Sequence, residues 1–262
     1  MDQPIHDYYN HYDEEGRLLL QYGKVEFLTT MRYIEKYLSD HAKILEIGAG
    51  TGQYSHALAR KGYHVDAVEL VEHNIDIFKS KTEPDEAISI CQGNAMDLHF
   101  ISDEVYDLTM VLGPMYHLFT KEDKKKALSE ALRVTKKDGV VFCAYCISDS
   151  SILDFGFKKG NIFNLLEKGM IDESSFKTVS KSIDIFELLR KEDIDELMSS
   201  FDVERLHYVG TDMYTKHMQD VVFEMDEKTF DLYLKYHFTI CERPDMVGLT
   251  YHSLDIFRKK SF

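Results

Sequence analysis

With only four cysteines and four prolines in 262 residues, this chain has little to staple it and little to interrupt it. Cys91, Cys143, Cys146 and Cys241 are too few and too scattered for a disulfide framework, which points to a reducing compartment. Four Pro and 14 Gly leave no room for low-complexity linkers, and no repeat recurs at solenoid or propeller spacing. Basic residues are also short, 31 Lys and Arg against 46 Asp and Glu, for a formal charge of -15. Such a surface repels phosphate backbones and anionic headgroups, so neither nucleic acid nor a membrane surface is expected as a partner. The densest basic run, from Lys121 to Lys126, has Glu122 and Asp123 interleaved and reads as a solvated helix face. No stretch approaches the ~20 apolar residues of a membrane span. The start, Met1 to Asp7, lacks a basic region followed by an apolar run, so it does not resemble a secretory signal. The expected location is the cytoplasm.

What is present, 44% hydrophobic and 29% charged residues, is enough for one substantial core. From 24 to 38, Val25, Phe27, Leu28, Met31, Ile34, Tyr37 and Leu38 recur at helical spacing. Residues 43–47 are a short apolar strand met at once by glycines, and 54–60 have helical character. The unit repeats, with strands at 63–70, 87–91, 105–112 and 139–146 alternating with helices at 72–81 and 122–135. A turn at 136–139 is expected before the last of these strands. Parallel strands need crossovers, so the pattern predicts an α/β fold. The expectation is a Rossmann-like, doubly wound, seven-stranded sheet with helices on both faces and inserted cap segments. A helix at 190–200 and strands at 203–209 and 249–257 complete it. The whole chain, 1–262, reads as one domain. It comprises an arm or lid at 1–41, a cofactor-binding core at 42–148, and caps at 149–189 and 210–248, the second with a helix at 226–240.

Gly48, Gly50 and Gly52 form a G-x-G-x-G turn at the carboxyl edge of the first strand, where backbone must turn sharply and approach a ligand closely. A dinucleotide fingerprint would place Gly or Ala where Gln53 stands, which counts against nicotinamide and flavin cofactors. Glu69 ends the second strand, where an acid can accept from ribose hydroxyls.

The segment Ile44-Leu45-Glu46-Ile47-Gly48-Ala49-Gly50-Thr51-Gly52-Gln53-Tyr54-Ser55 resembles the glycine-rich first motif of the class I S-adenosylmethionine (SAM)-dependent methyltransferases. The likeness covers about 42–146 and the closing strands, not the insertions. It implies SAM as the cofactor. Glu46 would anchor the loop and the amino end of the methionine. Gly48, Ala49, Gly50, Thr51 and Gly52, with Tyr54, would lie against the cofactor. Glu69 would hold the ribose, and Leu70 would sit beside the adenine. Gly93-Asn94-Ala95-Met96-Asp97 is similar to the family's adenine-reading segment, with Asn94 where many relatives carry Asp; Asp97 could share its role. Leu112 and Gly113, at the end of the fourth strand, should face the methyl group. Gly113-Pro114-Met115-Tyr116 lacks the leading amide or acid and the second proline of base-amine methyltransferases, which disfavours base methylation.

His117, beside Tyr116, has two readings: a general base, or a ring bonded to backbone in a packed turn. Tyr8, Tyr9, Tyr12 and Tyr22 read either as a lid offering aromatic faces or as a packed arm. Tyr8, Tyr12 and Tyr22 are candidate substrate contacts, as are His237 and Arg243 of the second insertion. Cys143 and Cys146, three apart in a strand, should point to opposite faces, and His207, His217, His237 and His252 have no ligand spacing, so no metal is expected. The expected activity is methyl transfer from SAM to an O or N nucleophile of a small molecule. Two alternatives stand beside it: a SAM-binding protein without turnover, and a nicotinamide-dependent oxidoreductase.

Overall fold

Helices α1 (Gln3–Tyr9) and α2 (Gln21–Tyr37) precede the first strand in a computed structural model that describes residues 3–10, 16, 18, 20–181 and 184–260. Tyr12 lies outside the described residues. The core then runs β1 (Lys43–Ile47), α3 (Gln53–Ala59), β2 (His64–Glu69), α4 (Glu72–Lys81), β3 (Ile88–Gln92), β4 (Tyr106–Val111), α5 (Lys121–Val134) and β5 (Thr135–Ile147). A first insertion holds α6 (Ser148–Ser151), which passes into a π-helical turn at Ile152–Lys158, and α7 (Ile162–Glu167). After it come β6 (Leu188–Leu189), α8 (Lys191–Met198) and β7 (Val203–Gly210). The second insertion holds α9 (Gln219–Phe223) and α10 (Glu227–Ile240), and β8 (His252–Lys259) closes the sheet.

The strands lie in the order β3-β2-β1-β4-β5-β8-β7, with the two-residue β6 paired to the end of β5. From β3 through β5 the neighbours are parallel; β8 is antiparallel to both β5 and β7. This is the mixed sheet of the expected Rossmann-like fold. The order reverses between β1 and β4, and at such a switch point the loops leaving the carboxyl ends diverge and open a crevice.

The central strands are apolar on both sides because both sides are covered. On one side Ile44, Leu108, Met110, Phe142, Leu254 and Ile256 pack with Met31, Ile34 and Leu58 of α2 and α3. On the other, Leu45, Ile47, Val111, Val141, Tyr145 and Phe257 meet Ala127, Leu128, Ala131 and Val134 of α5 and Ile194 and Leu197 of α8. Cys146 belongs to the first cluster and Cys143 to the second, as their odd separation requires.

Two local expectations are corrected. The turn at 136–139 is instead continuous with β5: Asp138 takes φ 61, and the β4–β5 register shifts between Tyr106 and Leu108, so a bulge absorbs the polar residues without breaking the strand. The basic run on α5 is not wholly solvated either. Lys124 is buried against Glu187, 2.8 Å away, while Lys121 and Lys126 pair with Glu196 and Asp123 at the surface.

The second insertion stacks on α2. Gln21 Nε2 donates to the carbonyls of Val222 and Met225, both at 2.9 Å, and Thr29 Oγ1 meets His237 Nε2 at 2.9 Å. That packing holds α2 between the sheet and α10 and turns one edge of α2 toward the crevice.

Candidate active site

A cavity of about 350 Å³ lies at the carboxyl ends of β1, β2, β4 and β5. One side of it is the glycine turn. Gly48, Gly50 and Gly52 have φ of 74, 54 and 86, values in the left-handed region that side chains disfavour. Gly48 carries a second constraint, because a Cβ there would sit 2.5 Å from Pro114 Cδ; the loops after β1 and β4 are in direct contact. Gly52 serves from behind. It starts α3 against Phe78 and His56, and unlike Gly48, Ala49, Gly50 and Thr51 it does not line the cavity.

Glu46, 1% exposed at the end of β1, accepts a short hydrogen bond from Ser55 Oγ. Burial pushes its carboxyl up to about 8; the bonds from Ser55 oppose the shift and the neighbouring Glu69 adds to it. Glu69 Oε2 accepts from Gly50 N at 2.8 Å, and Oε1 accepts from Val71 N at 2.9 Å and Asn74 Nδ2 at 3.3 Å. The carboxylate is thereby fixed to the turn itself, and burial, against these bonds, raises its pKa. Thr51 is 3% exposed, and its hydroxyl has no hydrogen-bond partner among the described residues. A buried hydroxyl in that state costs free energy until a ligand pairs with it. Left-handed glycines, raised carboxyls and this orphaned hydroxyl all fit a polar, partly cationic ligand such as SAM.

Tyr54, Leu70, Asn94, Ala95, Met96, Leu112 and Gly113 line the same side, and Asn94 Oδ1 already accepts from Met96 N at 2.9 Å. Asp97 does not reach the cavity. It is exposed and bound to His99, which holds its carboxyl below the usual range.

The opposite side is built from α1, α2, the turn after β4, residues 184–186, and the segments flanking β7 and β8. His117 Nδ1 is 2.7 Å from the Ile185 carbonyl, and Nε2 is 2.9 Å from the Tyr9 hydroxyl. A carbonyl only accepts, so Nδ1 carries the proton. Burial lowers the His117 pKa, against the backbone bond, which keeps the ring neutral and leaves Nε2 as an acceptor. Of the two readings of His117, the geometry shows the backbone-bonded ring: Nδ1 is tied to the Ile185 carbonyl, while Nε2 lies against the Tyr9 hydroxyl at the cavity wall. Tyr8 stands edge-on to Tyr9 and Phe186, and Phe186 lies 5.5 Å from the His117 ring. Tyr8, Tyr22 and Tyr116 line the cavity with them.

His237 and Arg243 do not line it. His237 is buried against Thr29 of α2, and burial lowers its pKa to about 4; Arg243 is exposed and paired with Asp245. The α10 face that carries Tyr233 and His237 is used for packing on its neighbours.

Sequence reasoning missed Glu26, Asp212 and His252, which line the cavity from three separate segments and bring their potential ligand atoms within 4.8 Å of one another. As organised here the cluster is an ion-pair network. Asp212 Oδ1 accepts from Thr250 Oγ1, Tyr251 N and His252 N, and its Oδ2 meets His252 Nδ1 at 2.9 Å. The carboxylates of Glu26 and Asp212 hold His252 well above the usual histidine range despite burial. One signal was available: Glu26 falls on the apolar stripe of α2, in line with Thr30 and Ile34, where an acid is out of place.

Fold and cavity together define a doubly wound α/β protein with a small-molecule site at its switch point. Comparison with known proteins narrows this. Residues 44–139 match the methyltransferase-domain family. The chain is 30% identical over 132 residues to a glycine/sarcosine N-methyltransferase of Aphanothece halophytica, covering 49% of each chain. It is 28% identical over 150 residues to a demethylmenaquinone methyltransferase of Clavibacter sepedonicus, covering 57% of each. The chain thus spans about half the length of the curated relatives it matches. A Thermotoga maritima structure described as a possible histamine N-methyltransferase superposes with a TM-score of 0.60 at 18% identity, over 99% of this chain and 100% of that one. A SAM-dependent methyltransferase of Methanosarcina mazei superposes with a TM-score of 0.58 at 15% identity, over 88% of this chain and 98% of that one. Residues 44–139 are thus similar to a methyltransferase domain, and the chain shares its fold with solved SAM-dependent methyltransferases.

Proposed function

We infer that this protein transfers the methyl group of SAM to an O or N nucleophile of a small molecule. The observation that carries the reading is a single cavity with the glycine turn on one side and the neutral His117 on the other. Its size is ordinary for a small-molecule site. The relatives are named for acceptors that range from glycine and sarcosine to demethylmenaquinone, so their names do not fix the acceptor of this cavity.

SAM supplies a methyl group already activated on a sulfonium, so much of the rate comes from alignment. Glu46 would face the ammonium of its methionine end, Thr51 would pair with a polar atom of that end, Glu69 would accept from the ribose, and Asn94 would read the adenine. Tyr54, Leu70 and Leu112 would exclude water around it. His117, with Nδ1 tied to Ile185, would present Nε2 to a proton leaving the acceptor. A neutral histidine facing the cavity favours turnover over SAM binding alone.

Calorimetry with SAM, S-adenosylhomocysteine and NAD tests the cofactor assignment. SAM and its product should bind and NAD should not; tight NAD binding without SAM binding would sink it. In the same assay Glu69→Ala should lose about 1–3 kcal/mol of SAM affinity, as expected for hydrogen bonds to a charged acceptor.

A further inference from the structure

The acceptor side of the cavity poses a question of access. The lone pair of His117 Nε2 points at the Tyr9 hydroxyl, 2.9 Å away, with the two rings edge to face at 5.5 Å. Because Ile185 holds the proton on Nδ1, Tyr9 is the donor in this bond. Tyr9 is also held in its place through Tyr8, which packs edge-on to it at 5.2 Å and to Phe186 at 5.5 Å, while Phe186 packs on His117 itself. Both Tyr9 and His117 line the cavity. A nucleophile there meets the phenol before it meets the imidazole.

We propose that Tyr9, carried on the arm helix α1, is a further catalytic residue that relays the acceptor's proton to His117, and that the acceptor is a hydroxyl or an N–H amine. This deepens the methyl-transfer reading and rests on it. The acceptor heteroatom forms its bond to the methyl carbon as the carbon–sulfur bond breaks, leaving S-adenosylhomocysteine. The proton of the acceptor passes to the Tyr9 oxygen while the Tyr9 proton passes to Nε2. The sulfonium charge ends on an imidazolium, and Tyr9 is again a phenol. A phenol suits the post because its oxygen accepts and donates at once. A tertiary amine has no proton to surrender and would gain nothing from the relay.

The test is turnover of small alcohols, phenols and primary, secondary and tertiary amines by the full chain with SAM, with S-adenosylhomocysteine as the readout. Tyr9→Phe keeps the ring contacts and removes only the hydroxyl. It should lower kcat for hydroxyl and N–H acceptors by about 100-fold, within the range for general acid–base catalysis, while SAM affinity stays within about two-fold. His117→Asn should cost as much, and the double variant little more, since the two act as one unit. Turnover of tertiary amines should be untouched by Tyr9→Phe, an outcome that a merely structural role of Tyr9 would not produce. Equal slowing of every acceptor class, or undiminished turnover by Tyr9→Phe, overturns the relay alone. No turnover with any compound, SAM being bound, removes the methyl-transfer reading and the relay with it.

Discussion

Glu46 is the residue whose chemistry depends most on what binds beside it. Its carboxyl is buried, and with Ser55 alone among the described residues to stabilise the anion it holds its proton up to about 8. An arriving ammonium favours the ionised form, so binding SAM would expel that proton. SAM affinity should therefore rise by about ten-fold or more between about pH 6 and pH 8 and level off above. Calorimetry across that range checks it, and Glu46→Gln should flatten the dependence. Glu69, fixed by Gly50, Val71 and Asn74, is the contrasting case: its bonds to the turn are already in place. Both carboxylates were legible as motif positions. That one would be tied to the turn and the other nearly unsupported was not, because it depends on which backbone N–H groups the folded loops aim at them.

At the scale of elements, α1 belongs to the site as much as the core does. Pro4, Ile5, Tyr8 and Tyr9 of this short helix line the cavity. Deleting residues 2–10, which spares the buried Leu18, should lower turnover at least as far as Tyr9→Phe does; unchanged turnover in a steady-state assay would leave α1 a packing element only. The periodicity of α2 and of the strand–helix repeats could be read in advance, since an amphipathic stripe or an apolar run is a local property. The orientation of α10 could not. A helical face with Tyr233 and His237 suits a pocket and a neighbouring helix equally well, and here Thr29 and Thr215 receive them. The bulge in β5 escaped for a similar reason, because a polar stretch such as Lys136 to Asp138 favours a turn until the pairing of Thr135 and Val140 with β4 on either side keeps it within the strand.

For the whole molecule, binding and stability are linked. A ligand at 100 times its Kd stabilises the folded state by about 2.7 kcal/mol, which for a chain of this size is a rise in Tm of roughly 5–10 °C. The rise should be larger at pH 8 than at pH 6. Glu46 has a folded pKa raised above its ordinary 4.5, so its contribution to stability is complete below 4.5 and is lost as pH rises through about 8. The free protein pays that cost at pH 8 and the SAM-bound protein does not. Thermal scans with and without SAM at the two pH values check both magnitude and sign.

The sequence by itself determined the α/β repeat, the glycine turn and the acid ending β2, because each is written within a few consecutive residues whose conformation follows from local sterics and periodicity; SAM as the cofactor is what the resemblance carried by those residues implies. Only the tertiary structure decided what stands opposite the cofactor. Tyr9 and His117 are 108 residues apart, and Glu26, Asp212 and His252 come from three segments, so nothing in their local sequence binds them together. Their meeting is a consequence of β8 returning antiparallel beside β5, of the second insertion clamping α2, and of α1 packing its tyrosines on Phe186.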